Sequence, residues 1–152
     1  MNIKSLLIKL FDVKNNYKST DVVVLIVRIG IAVLMLTHGI PKMEKLFSSE
    51  TVMFPSVFGM GPHLSLALAV LAEVICSVFI LVGFGTRLAT IPIIITMLVA
   101  VFVIHFADPF SKKEMGLLFL LVYIFLLNAG SGKYSIDAII STKLNSTEIN
   151  KR

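Results

Sequence analysis

The stretch LSLALAVLAEVICSVFILVGFGTRLATIPIIITMLVAVFVIHFA, residues 64–107, decides the fold. It contains two apolar runs, Leu64–Phe84 and Leu88–Ala107, and each is close to the ~20 residues that a helix needs to cross a bilayer core. The sequence GFGTR, residues 83–87, lies at their junction. Because this connection is so short, the two helices must be antiparallel neighbours, with Gly83 and Gly85 supplying the unusual backbone angles of the turn. The stretch therefore predicts a transmembrane helical hairpin.

The rest of the chain has the same membrane character. Of its 152 residues, 57% are hydrophobic and 15% are charged, whereas soluble domains carry about 25% charged residues. The runs Val22–Ile40 and Gly116–Gly130 flank the hairpin, and the second is so short that it needs residues 113–115 to cross. The sequence therefore predicts an all-α membrane protein, a four-helix transmembrane bundle with spans near 22–40, 64–84, 88–107 and 114–130.

Polar segments flank this predicted domain, which we place at residues 21–138. Within residues 1–20, one helical face carries apolar side chains and lysines lie elsewhere, which is typical of a short amphipathic helix in the membrane interface. Residues 139–152 are expected to form a polar cytoplasmic tail. The loop between the first two spans, residues 44–62, is unusually apolar, and we expect it to lie in the interface or to cover the bundle as a lid.

The distribution of basic residues predicts the orientation. With four spans, nine Lys and Arg residues lie on the side of the termini, and four, Lys42, Lys45, Lys112 and Lys113, lie on the other side. The positive-inside rule then places both termini in the cytoplasm, so the protein is expected in the cytoplasmic (inner) membrane of a prokaryote. Topology accounts for the net charge of +5, and nothing further supports binding to nucleic acid. The single cysteine, Cys76, cannot by itself run a dithiol redox cycle.

Two charged residues fall deep inside the predicted spans. An ionisable group in a span costs about 2.5–3.5 kcal/mol on insertion scales, so each needs a partner or a purpose. Counting rise per residue from the helix ends places Arg28 and Glu73 at similar depths, and we expect an Arg28–Glu73 ion pair between the first two spans. Such a pair is more often structural than catalytic.

Further polar residues gather toward the outer side. His38 and Lys42 share a helical face with Arg28, and Glu114 begins the fourth span on the side where His105 and Asp108 also lie. The candidate catalytic residues are Glu73, His38 and Glu114. The candidate ligand-binding residues are Arg28, His38, Lys42, Glu73 and Glu114. The three histidines have no ligand-type spacing, so no metal site is predicted and haem is disfavoured.

Several motifs together resemble the DoxX family. They are RIGIAVLMLTHGIPKMEKL from Arg28, AEVICSVFILVGFGTRLAT from Ala72, KEMGLLFLL from Lys113 and NAGSGKYSID from Asn128. They follow the family's order over about Val22–Asp137, with Lys133 where an arginine is common. Structural roles are expected for Gly39, Gly83, Gly85, Arg87, Gly130, Gly132 and Asp137, and all of these except Gly85 are positions of the family pattern. The resemblance marks further family positions at Gly30, Thr86, Tyr134 and Ser135, beside Arg28, His38, Lys42, Glu73 and Glu114.

The resemblance implies a four-helix membrane protein linked to oxidoreductase systems. Relatives include a subunit of an archaeal thiosulfate:quinone oxidoreductase, and others associate with thiol and superoxide defence proteins. The thiosulfate chemistry itself is not expected here, because the chain offers neither an extra soluble domain nor a cysteine pair.

Three functions stay open at this level. The first is an auxiliary subunit of a quinone-linked redox system, in which a buried carboxylate exchanges protons with a quinol. The sequence has no recognisable haem, flavin or iron–sulfur motif, so this subunit needs a redox partner protein and is not a self-sufficient enzyme. The second is a small carrier or permease with a buried Arg–Glu site, which requires a homo-oligomer. The third is a non-catalytic membrane scaffold.

Overall fold

The computed structural model of the chain describes residues 17–48 and 51–149. In these ranges the regular structure is helical and there is no strand, which confirms the predicted all-α class. The interfacial helix predicted for residues 1–20 lies mostly outside the described residues. Residues 150–152 of the predicted tail also lie outside them.

Five helices make up the described ranges: α1 (Tyr17–Phe47), α2 (Pro62–Val82), α3 (Thr86–Ile104), α4 (Phe110–Ala129) and α5 (Ile136–Ile149). The first four pack in a ring, α1 on α2, α2 on α3, α3 on α4 and α4 on α1. The buried side chains between them include Met35, Ile80, Ile93, Tyr123 and Leu126. α5 was not predicted, because the sequence after residue 138 is polar.

Three of the described helices are long and apolar enough to cross a membrane, over Thr20–Phe47, Pro62–Val82 and Thr86–Ile104. They make the chain a multi-pass membrane protein. α4 has 20 residues, but Lys112, Lys113 and Glu114 lie close to its start.

The turn between α2 and α3 follows from its two glycines. Gly83 (φ 72°) and Gly85 (φ 56°) both adopt left-handed conformations. The Phe84 N–H donates to the Phe79 carbonyl at 2.9 Å and the Gly83 N–H to the Ile80 carbonyl at 3.1 Å. These two bonds form a Schellman motif, which satisfies the last carbonyls of α2 and reverses the chain.

Two contacts between α1 and α2 show that these helices run in opposite directions. Arg28 of α1 lies against Gly83 at the end of α2, and Gly39 lies against Glu73, nearer the start of α2. We call the end where α2 passes into α3 the base of the bundle, and the opposite end the top.

Both α2 and α3 contain a π-helical segment, Leu71–Cys76 and Ala100–Ile104 respectively. The first holds Glu73, and the second ends one residue before His105. π-Helical turns inside α-helices are rare and occur frequently at functional sites. Both π-helical segments lie in the upper half of the bundle, which is therefore the candidate region for function.

Candidate functional site

Glu73 is the charged residue at the centre of the upper half. Its side chain is 1% exposed, and its Oε1 accepts a hydrogen bond from Nζ of Lys42, whose side chain is 34% exposed. The second oxygen, Oε2, is buried and has no hydrogen-bond partner among the described residues. The carboxylate is therefore paired on one side and open to a further donor on the other.

A close approach of α1 to α2 positions this ion pair. A Cβ atom at Gly39 would lie 2.8 Å from Cγ2 of Val74 and 3.0 Å from Cβ of Glu73, so a larger residue does not fit without displacement. Lys42 follows Gly39 by three residues, which places it on the same face of α1. From there its side chain reaches the carboxylate.

One side of the ion pair faces a largely apolar cavity of about 370 Å³, here called the apolar cavity. It lies between α2, α3 and the segment of residues 51–61. Its polar lining includes Lys42, Glu73, Ser65 and His105, and most of the remaining lining is apolar: Phe54, Val57, Phe58, Met60, Leu68, Ile95, Val99 and Ile104.

The other side faces a second cavity of about 280 Å³ between α1, α3 and α4, here called the polar cavity. His38, His105 and Lys112 line it, together with three methionines and Phe119. Lys42, Glu73, Ala100 and His105 line both cavities, so the ion pair lies at the boundary between the two.

The segment of residues 51–61 lines one side of the apolar cavity. The Val57 N–H donates to Oγ of Ser65 at 3.0 Å, and Nζ of Lys45 donates to the Met53 carbonyl. Val52 and Phe54 pack against buried residues of α2. These contacts attach the segment to both α1 and α2.

The histidines stand at the top of the polar cavity. His38 is exposed and its ring contacts the Phe119 ring edge to face, with centroids 5.5 Å apart. Nδ1 of His105 lies 2.7 Å from Oδ2 of Asp108, and Lys112 lies 3.8 Å from Oδ1. The hydrogen bond from His105, followed by the charge of Lys112, lowers the pKa of Asp108.

The prediction of an Arg28–Glu73 ion pair is wrong. Arg28, 2% exposed, donates from one terminal guanidinium nitrogen to the Ser131 carbonyl at 2.6 Å and from the other to the Tyr134 carbonyl at 2.8 Å. Its guanidinium lies beside Gly83, which follows Glu73 by ten residues, roughly 15 Å along α2. The two charges therefore lie at different levels of the bundle, and Glu73 pairs with Lys42 instead.

Arg28 belongs to a structural cluster at the base. Gly83 leaves the space for its guanidinium, since a Cβ there would collide with it. The Asp137 carboxylate accepts hydrogen bonds from the N–H groups of Gly85 (2.7 Å) and Thr86 (3.3 Å) at the start of α3, and the Asp137 N–H donates to the Gly83 carbonyl (3.0 Å). These bonds dock the start of α5 onto the hairpin turn.

Two further glycines, Gly130 and Gly132, lie at the base together with Arg87. Gly130 (φ 76°) and Gly132 (φ 69°) have positive φ angles, and Arg87, which is exposed, donates to the Asn128 carbonyl at 3.2 Å. A Cβ at Gly130 would lie 3.2 Å from Nε of Arg87. The residues for which structural roles were expected lie here, except Gly39.

Glu114 is not brought into either cavity. It is exposed on α4, and it is absent from the lining of both cavities. The described part of the chain also contains no group of three or more His, Cys, Asp or Glu residues placed to hold a metal ion.

Sequence reasoning missed part of this site. It listed Lys42 among the candidate ligand-binding residues but did not identify it as the partner of Glu73, although α1 continues through Pro41 to Phe47 and carries Lys42 inside the helix. It did not identify the partition of the upper half into two cavities, because no local pattern indicates it. The signal that was available is the spacing of Gly39 and Lys42, a small residue one turn before a cation.

Comparison with known proteins agrees with this architecture. The family model described as DoxX matches residues 23–106, which is more than half of the chain. No curated protein and no solved structure matched the chain. On the family match, this multi-pass helical membrane protein belongs to the DoxX family.

Proposed function

We propose that the protein is an auxiliary membrane subunit of a redox system and binds a quinone in the apolar cavity, against Lys42 and Glu73. The observation that carries this proposal is a charged pair that lines an apolar cavity of about 370 Å³. Ligand sites of about 300–1,000 Å³ that combine apolar walls with a few polar groups are typical of small-molecule binding.

A quinone head group matches the chemistry of this cavity. Its ring and isoprenoid tail are apolar and suit the lining of Phe54, Phe58 and Ile95. Its carbonyl oxygens accept hydrogen bonds, which the Lys42 ammonium can donate. The Glu73 carboxylate can exchange the protons that accompany the electrons, and the electrons themselves come from or go to a redox partner protein.

The topology that accompanies this function has four spans, with α4 as the fourth, and both termini in the cytoplasm of a cell with an inner membrane. The base then faces the cytoplasm and both cavities open toward the outer side. A C-terminal fusion to a reporter that is active only in the cytoplasm tests this orientation. Activity of the reporter supports it, and an inactive reporter on an intact, membrane-inserted fusion contradicts it.

The carrier alternative loses its main support, because it depended on Arg28 and Glu73 forming one site, and the two are at different levels. The scaffold alternative predicts no bound ligand. Quinone binding therefore distinguishes the proposed function from both.

The experiment is quantification of quinone in lipid extracts of the protein, purified gently from native membranes with its partners. We expect near-stoichiometric quinone in the wild type and its loss in Lys42→Met and Glu73→Gln. The matched controls are Lys133→Met and Glu44→Gln, exposed positions outside both cavities. Equal, trace quinone in all five proteins would contradict the proposal.

A further inference from the structure

We propose that the polar cavity is the route by which protons pass between Glu73 and the top surface, with His38 and His105 as the relaying groups. This inference rests on the proposed function, which places the quinone in the apolar cavity. It adds that protons use the opposite side of the ion pair. Ligand and protons then meet at Glu73, and His105, which lines both cavities, is the relay group that also borders the ligand.

The two cavities meet at the Glu73 side chain. Glu73 lines both, and its only described hydrogen bond is to Lys42 through Oε1. Oε2 is buried and unpartnered. A buried carboxylate oxygen without a donor is unusual, because most buried polar atoms are hydrogen-bonded. Here it leaves an atom free to accept a proton.

The charged or titratable groups that line the polar cavity or interact with Glu73 are Lys42 and His38 from α1, His105 directly after α3, and Lys112 and Tyr123 from α4. Among these residue types, imidazole is the one that ordinarily gains and loses a proton between pH 5 and 8. The two histidines are therefore the relay groups in this cavity.

The orientation of His105 follows from its contact with Asp108. Asp108 occupies Nδ1 of the ring at 2.7 Å, which leaves Nε2 as the second nitrogen. A carboxylate on one imidazole nitrogen fixes the tautomer and favours proton acceptance at the other. His105 is 39% exposed and Asp108 35% exposed, so this pair connects the cavity with the top surface.

The resulting proton balance is simple. Oxidation of a quinol in the apolar cavity releases two electrons, which pass to the redox cofactor of the partner protein, and two protons. Glu73 takes the first proton and becomes a carboxylic acid, then gives it to a neutral imidazole, directly or through water. The imidazolium releases the proton to water at the top and is neutral again. The second proton follows by the same steps.

The test follows the proton on Glu73 itself and does not depend on quinone. The full-length protein in lipid nanodiscs is brought to an acidic pH at which infrared spectroscopy detects a carboxylic acid band, and the change of this band is recorded after transfer to D₂O. Glu73→Gln, which lacks this band, assigns it. His63→Gln is the control, because His63 is exposed and lines neither cavity.

We expect hydrogen–deuterium exchange of Glu73 to slow about a hundredfold in His38→Gln/His105→Gln, the size of effect typical of a lost acid–base group. His63→Gln should exchange at the wild-type rate. Added imidazole should restore fast exchange in His38→Ala/His105→Ala, which a merely structural role does not explain. An exchange rate in the folded double variant equal to that of the wild type overturns the proposal. If the double variant does not fold, wild-type exchange rates in both His38→Gln and His105→Gln overturn it.

This outcome is independent of the quinone measurement. Normal quinone content with unchanged exchange contradicts the proton route alone. Slowed exchange in a protein without quinone contradicts the proposed function and leaves the route standing.

Discussion

A pair of double-mutant cycles tests where the charges of the bundle are paired. The first cycle combines Lys42→Met with Glu73→Gln, and the second combines Arg28→Met with Glu73→Gln. In each cycle the interaction energy is the amount by which the double variant departs from the sum of the single variants.

The structure sets the expected sizes. Exposed ion pairs contribute about 0–1 kcal/mol, whereas removing one partner of a buried pair costs about 3–5 kcal/mol. In the Lys42–Glu73 pair one partner is 1% exposed and the other 34%. We therefore expect a coupling of about 1–3 kcal/mol. Arg28 and Glu73 lie at levels roughly 15 Å apart, so their effects should add to within about 0.5 kcal/mol.

The assay is reversible unfolding in mixed detergent micelles, with the free energy of unfolding extrapolated to zero denaturing detergent for the wild type and all variants. A coupling of Arg28 to Glu73 as large as that of Lys42 to Glu73 would refute the assignment. So would additivity in both cycles, because the buried carboxylate would then not depend on Lys42.

Three further predictions concern stability. Arg28→Gln should lower the free energy of unfolding by about 3 kcal/mol or more, because two charge-assisted hydrogen bonds are lost. Arg87→Gln, which loses one exposed hydrogen bond, should lower it by about 1 kcal/mol. Proteolysis between residues 130 and 135 should rise only in Arg28→Gln, and equal losses of stability in the two variants would contradict the role of Arg28. Gly39→Ala should lower the free energy of unfolding by about 1–3 kcal/mol, because the added Cβ overpacks against Val74. Gly30→Ala, where a Cβ meets nothing within 4 Å, should leave stability unchanged or raise it. The same unfolding assay compares the two variants. Because its hydrogen bond with His105 lowers the pKa of Asp108, the carboxylate form is stabilised in the folded state; this contribution is present above the ordinary pKa of about 4 and is lost as pH falls below it. The melting-temperature difference between wild type and Asp108→Asn should thus shrink below about pH 4, and a constant difference would contradict the interaction.

The sequence was sufficient for the class of fold because the signals for that class are local. Run lengths near the thickness of a bilayer predict membrane helices, and a five-residue junction with Gly83 and Gly85 leaves no alternative to a hairpin. The π-helical segments were not predictable in this way. A single extra residue in a helical turn shifts the apolar pattern too little to be distinguished from ordinary variation in a run that is apolar on every face.

The pairing of charges was less predictable for a different reason. Insertion cost correctly indicates that Arg28 and Glu73 each need partners, but the choice of partner depends on where each side chain meets the neighbouring helix. Arg28 finds carbonyls at residues 131 and 134, more than one hundred positions away in the chain. No local pattern in either segment records that contact.

The position of Lys42 shows how these two levels of information combine. The apolar run ends at Ile40 and Pro41 follows, so the sequence places Lys42 outside the span, where a lysine needs no partner. In the structure α1 continues to Phe47, and Gly39 brings this part of α1 against Glu73. The lysine thereby becomes the counter-ion of a carboxylate that the apolar environment could not hold alone. The continuation of α1 to Phe47 also puts both charges at the boundary of two cavities of different polarity. The proposed exchange of protons with an apolar ligand depends on this arrangement.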